Sequence, residues 1–173
     1  MNPKLVLCLG NEILSDDAFG FHVAEELISG YGPYENTDIE FAPIAGFNLL
    51  NMIANRKVVL IIDTIITGNY EPGHLHFFQM GYDAPTHTLL TSHQISLPVA
   101  LKFGLKLGLK MPHVIDVLAV EALDVYTLSQ TMTQPIRESV TPAILLIDKW
   151  IMEKKCYMTI QQERSLSNVD FKK

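Results

Sequence analysis

Cysteine is scarce: only Cys8 and Cys156 occur in 173 residues, and no close pair exists. That excludes a disulfide framework or a zinc finger as the organising principle and leaves two reduced thiols as the expectation. No apolar run reaches the roughly 18 residues a membrane helix needs. The opening MNPKLVLCLG is too short for a leader and ends in a glycine turn. Positive charge is also short, with 13 Lys and Arg against 19 Asp and Glu and a formal net charge of −6. With no basic stripe, nucleic acid and anionic membrane surface are poor partners, and a partner with a basic segment fits better. GxGxxG, GK[ST] and GxSxG are all missing, which argues against a dinucleotide fold, a phosphate loop and a serine-hydrolase elbow. These absences describe a cytoplasmic, single-domain protein, expected to be a monomer.

What is present alternates. KLVLCLG (4–10) is a continuous apolar run, as in a strand buried on both faces. AFGFHVAEELISGYG follows, with Phe21, Val23, Ala24, Leu27 and Ile28 at helical spacing and Gly30 and Gly32 as stops. DIEFAPIAG predicts a short strand broken at Pro43, and FNLLNMIANR a short helix. KVVLIIDTIITG carries the strongest strand signal, apolar and mostly β-branched from Val58 to Ile62. GHLHFFQ alternates like an edge strand, and a long loop spans Met80 to Ser92. ISLPVALKFGLKLG predicts an amphipathic helix, with Pro98 tolerable in its first turn. HVIDVLAVEA predicts a strand, and TQPIRESVTPAILLIDKWIMEKK a long helix or two, kinked at Pro142. Strands alternating with helices predict an α/β fold of three layers, a twisted and mostly parallel sheet with helices on both faces. One domain is expected over residues 1–156. Residues 157–173 are mostly polar without helical periodicity and predict a loose tail.

In an open α/β sheet, ligands gather beyond the carboxyl ends of the strands. Asn11, Glu12, Asp16 and Asp17 follow the first strand, Asp63 ends the third, His93 closes the long loop in TSHQ, and Glu121 follows the last strand. An aspartate before a helix is commonly an N-cap, which suits Asp16. One cap needs one side chain, so Asp17 is left for other work. A carboxylate after a run as apolar as VVLII resists desolvation and calls for a partner or a metal, which singles out Asp63. Glu121 is divided evenly between capping and function. His74 and His76 share a face of the edge strand, a weak metal spacing. Asp17, Asp63 and His93 together form an oxygen and nitrogen ligand set suited to a first-row divalent metal with open positions.

The string LGNEILSDDAFGFHV resembles the opening motif of the [NiFe]-hydrogenase maturation endopeptidases: glycine-asparagine, a short spacer, a pair of acids, then glycine. AGFNLLNMIANRKVVLIIDTIITG resembles the family's glycine-led helix and strand ending in aspartate. PGHLHFF and TSHQISLPVAL continue the match in order, and the resemblance spans about residues 4 to 150. It implies an enzyme that removes a short C-terminal extension from a hydrogenase large-subunit precursor after nickel insertion. It also implies that Asp17, Asp63 and His93 bind metal and serve catalysis. Nickel would be carried by the substrate protein and not held tightly by this chain alone, acting as a recognition handle. The apolar Ile13–Leu14 loop is expected to touch the partner protein.

The sequence departs from the family in three places. Asp17 stands where relatives often have glutamate, Ala18 where many have glycine, and Pro43-Ile44 where a glycine pair is common. Two further readings use the same residues. A phosphoacceptor receiver domain would take phosphate on Asp63, but the acid pair lies six residues past Gly10 and no lysine follows the last strand. A nickel-handling chaperone would bind without hydrolysis.

Overall fold

The computed structural model describes residues 2–30, 33–44, 46–82 and 97–167, the last of these, from 155 on, as helical backbone. Five strands form one sheet: β1 (Lys4–Leu9), β2 (Thr37–Ala42), β3 (Val58–Ile65), β4 (Leu75–Gln79) and β5 (Val114–Glu121). Their order is β2-β1-β3-β5-β4. The first four neighbours run parallel, and β4 pairs antiparallel to β5 at the edge, where GHLHFFQ was expected.

The two central strands explain their own composition. Every residue of β1 and of β3 is buried, because helices cover both sheet faces and neither parity of side chain meets water. Val6, Cys8, Val58, Leu60, Ile62, Leu118 and Val120 pack with α1 (Phe19–Gly30) and α4 (Gln134–Ser167). Leu5, Leu7, Leu9, Val59, Ile61, Ile115 and Val117 pack with α2 (Leu49–Ile53) and α3 (Leu97–Lys106). The expected three layers are therefore present, split by the two-residue period of the strands. Cys8 is fully buried in the first of these cores, and burial pushes its thiol pKa well above the ordinary range, so it is an inert packing residue.

Two expectations need correction. The buried face of α1 is Phe19, Gly20, Val23, Ala24 and Leu27; Ile28 lies 59% exposed and Phe21 is half-buried. The stripe is shifted because Gly20 has to abut the end of β1: a Cβ there would fall 2.0 Å from the Leu9 carbonyl oxygen. At the other terminus, α4 is one helix through Pro142 and continues to Ser167. The polar tail read as loose is thus helical over 157–167, and 168–173 lie outside the described residues. Apolar periodicity is one signal of a helix; intrinsic propensity, which Met, Gln, Glu and Arg carry here, is another that leaves no period.

Register aligns the chemistry. Cys8 of β1 pairs with Ile62 of β3, one residue before Asp63. Ile65 of β3 pairs with Glu121 of β5. The connections from β1 leave through α1 to β2 on one side, and return through α2 to β3 on the other. The chain therefore reverses its strand order between β1 and β3, and a crevice at their carboxyl ends is the topological switch point of this sheet.

Candidate active site

The segment after β1 is wound tightly around the backbone of Asp17. Gly10 has φ +132°, a region that disfavours side chains, and a Cβ on it would lie 2.0 Å from the Asp17 carbonyl oxygen. Asn11 N–H donates to that same oxygen at 3.1 Å, and Asp17 N–H donates to the Leu14 carbonyl at 2.8 Å. The Asn11 side chain accepts from Ile13 N–H at 3.2 Å. The Gly-Asn pair is thus a clamp that returns the chain onto itself and presents a 3-10 turn, Ser15–Ala18, beyond the strand end.

The two aspartates of that turn diverge. Asp16 is fully buried and does not cap its own helix. Its Oδ2 accepts from Leu123 N–H at 3.0 Å, Asp124 N–H at 2.8 Å and the Thr133 hydroxyl at 3.1 Å. Its Oδ1 accepts from Thr133 N–H at 2.7 Å. The expected cap is corrected to a tie across more than 100 positions, which holds the loop after β5 and the start of α4. Asp17, 1% exposed, accepts at Oδ1 from the Thr64 hydroxyl at 3.0 Å.

Asp63 lies one residue before Thr64 and accepts its N–H at Oδ1, 2.8 Å away. Burial pushes the Asp63 carboxyl up to about 7, the Thr64 N–H offsets part of that, and the nearby Asp17 charge adds to the rise. So β3 joins both acids through one residue: Thr64 uses its backbone for Asp63 and its side chain for Asp17. Two desolvated carboxylates, one of which raises the protonation of the other, are a site where a divalent cation relieves burial and repulsion together. Their oxygens suit hard and borderline cations. His93, the third expected member, lies outside the described residues.

Glu121 is buried, and its role is to fix the loop after β3. It accepts from Thr67 N–H at 2.6 Å, the Thr67 hydroxyl at 2.9 Å and Gly68 N–H at 2.9 Å. His76 Nε2 stands 3.0 Å from its Oε2. Burial alone would raise the Glu121 carboxyl; the Gly68, Thr67 and His76 donors override it and hold it below the usual range. His74 and His76 do come together, with ring centroids 4.8 Å apart and Tyr70 stacked on His74. Among the described residues, no group of three or more metal-capable side chains forms. Sequence reasoning missed Thr64 and Thr133. Only the position of Thr64 beside the aspartate expected to end the strand hinted at a role, although β3 runs on through Asp63 and Thr64 to Ile65; nothing local pointed to Thr133, whose partner is 117 positions away.

The family profile described as hydrogenase maturation protease matches residues 21–150. The hydrogenase expression/formation protein HupD of Bradyrhizobium diazoefficiens is 25% identical over 176 residues, covering 96% of this chain and 90% of that protein. The hydrogenase 2 maturation protease of Escherichia coli is 32% identical over 97 residues, covering 54% of this chain and 57% of that one. Among solved structures, the hydrogenase maturating endopeptidase HybD of E. coli superposes with a TM-score of 0.74 at 23% identity, covering 89% of this chain and 94% of that one. A hydrogenase 2 maturation peptidase from a Thaumarchaeota archaeon superposes with a TM-score of 0.64 at 20% identity, covering 86% and 97%. These solved structures share the fold, and the profile over residues 21–150 speaks against the receiver-domain alternative.

Proposed function

Because the chain belongs to the hydrogenase maturation proteases and is a peptidase, we propose that it removes the C-terminal extension of a [NiFe]-hydrogenase large-subunit precursor at a site made by Asp17, Asp63 and His93. The observation that carries this reading is the pair of buried carboxylates joined by Thr64 at the switch point of the sheet. Nickel is part of the substrate here: it arrives inside the precursor, and the oxygens of Asp17 and Asp63 with the His93 imidazole are the ligands that would meet it. Cleavage then depends on loading, since an empty precursor offers the acid pair no cation.

Hydrolysis adds water to the scissile carbonyl carbon, breaks the C–N bond and delivers a proton to the leaving amine. A carboxyl pushed up to about 7 in the cation-free site would lose that rise beside a cation, which suits Asp63, then a carboxylate, as the group that takes the proton from water and returns it to the amine. This makes the enzyme aspartic in type. We place it in the cytoplasm as a monomer; among the described residues no helix is long and apolar enough to cross a membrane.

The test mixes the purified protein with nickel-loaded and nickel-free precursor and follows the C-terminal mass loss by mass spectrometry. Cleavage of the loaded form alone is expected, and equal cleavage of both overturns the handle. Asp17→Ala, Asp63→Ala and His93→Ala are each expected to abolish cleavage, and full activity in any of them removes that residue from the site.

A further inference from the structure

The loop after β5 exposes large apolar side chains that the fold does not use. Tyr126 is 79% exposed, Leu128 77% and Leu123 59%, and across from them Ile13 is 46% exposed. These four belong to two segments that the backbone joins. Ser15 N–H donates to the Ser129 carbonyl at 2.8 Å, and Ser129 N–H donates to the Ile13 carbonyl at 3.0 Å. Leu14 and Ser129 form a parallel bridge. The loop is also held internally: Asp124 accepts from Tyr126 and Thr127 N–H at 2.9 and 3.0 Å, and the Ser129 hydroxyl accepts from Thr131 N–H at 3.0 Å. The buried Asp16 carboxylate ties both ends, Leu123–Asp124 and Thr133.

This order costs hydration and returns no burial for those side chains. Two joined segments that are fixed by polar ties while holding four apolar groups in water are arranged for presentation, and presentation without prior ordering cost favours binding. The tie runs through Asp16, the residue next to Asp17. A polypeptide whose scissile bond reaches Asp17 and Asp63 therefore approaches the carboxyl edge of the sheet beside this same turn. We propose that Ile13, Leu123, Tyr126 and Leu128 form the platform on which an apolar stretch of the precursor chain, close to its cleaved bond, is seated. The proposal rests on the protease function above and names the surface that selects the substrate. Acidic residues neighbour the apolar ones in the chain: Glu12 precedes Ile13 and Asp124 follows Leu123, which fits a precursor segment that is apolar with basic flanks, in keeping with the net charge of −6.

The experiment uses the full chain and purified nickel-loaded precursor. Tyr126→Ser, Leu128→Ser and Ile13→Ser are compared with parent for Tm, for precursor affinity and for cleavage kinetics. Leu107→Ser, at a 57% exposed position beyond α3, serves as the control. The expected result is Tm unchanged in all, with affinity and kcat/KM reduced at least tenfold in the three platform variants, carried by KM, and unaltered in the control. Values within twofold of parent for the platform variants, or an equal loss in the control, overturn the platform. A parent that binds precursor without cutting it overturns the protease reading while loss of binding in the variants still upholds the platform. A parent that neither binds nor cuts overturns both.

Discussion

The hydroxyl of Thr64 donates to Asp17 Oδ1 at 3.0 Å while its N–H donates to Asp63 Oδ1 at 2.8 Å. One β3 residue thus sets the relative positions of two acids that are 46 places apart in the chain. Strand pleating makes this possible, since Thr64 and Asp63 point to opposite faces and only the Thr64 backbone can serve its neighbour.

Replacing Thr64 with valine keeps the shape and removes the donor to a buried carboxylate. The expected loss is roughly 1–3 kcal/mol of folding stability, read from urea unfolding, together with a fall in cleavage. Thr64→Ser keeps the hydroxyl and is expected to retain most activity. A Thr64→Val protein as stable and active as its parent would show that this bond does not position Asp17.

Asp63 predicts a pH dependence of stability. Its folded pKa is about 7 against an ordinary 3.8, so between those values the folded state holds a proton that the unfolded state has released. Stability from this group is present in full below about pH 4 and is lost as pH rises toward about 7. Asp63→Asn carries no such titration and is expected to gain stability over parent by on the order of 2–4 kcal/mol at pH 8 while gaining little at pH 4. Chemical denaturation of the metal-free proteins at both pH values measures it, and parallel curves would refute the burial argument.

Asp16 satisfies four donors from two distant segments. Asp16→Ala strands them, and the expected cost is roughly 2–4 kcal/mol. Hydrogen exchange at the amides of Leu123, Asp124 and Thr133 should accelerate far more than exchange in β1 or β3. Uniform exchange across the molecule would mean that the loop holds itself.

Gly20 reverses a propensity rule. Alanine in a helix is better than glycine by about 1 kcal/mol, yet a Cβ on Gly20 would lie 2.0 Å from the Leu9 carbonyl oxygen. Gly20→Ala is expected to destabilise the protein by roughly 3 kcal/mol or more, because α1 has to lift from β1. A Tm equal to or above that of the parent would show that the helix can move at no cost.

The strands, the three-layer order and the location of chemistry at the carboxyl ends were legible because apolar runs, alternation and turn residues are local signals. KLVLCLG announced two-sided burial and KVVLIID a strong strand through composition, and the structure buries every residue of β1 and β3. The GNEILSDDAFG string announced a special turn. The division of labour inside it was harder to read, since capping is a local rule and Asp16 caps nothing in its own helix. The helix over 157–167 stayed hidden because its sequence carries no apolar period, the local signal by which an amphipathic helix is read.

By itself, then, the sequence determined which segments form strands and helices, and that acids follow strands at the sheet end where ligands gather, because periodicity and side-chain hydration act over a few residues at a time. Tertiary structure alone decided that Thr64 joins those acids, that Asp16 reaches Leu123, Asp124 and Thr133, and that burial drives Asp63 up to about 7. Each of these depends on groups distant in the chain and on the exclusion of water, and both come into being only when the sheet and its covering helices close.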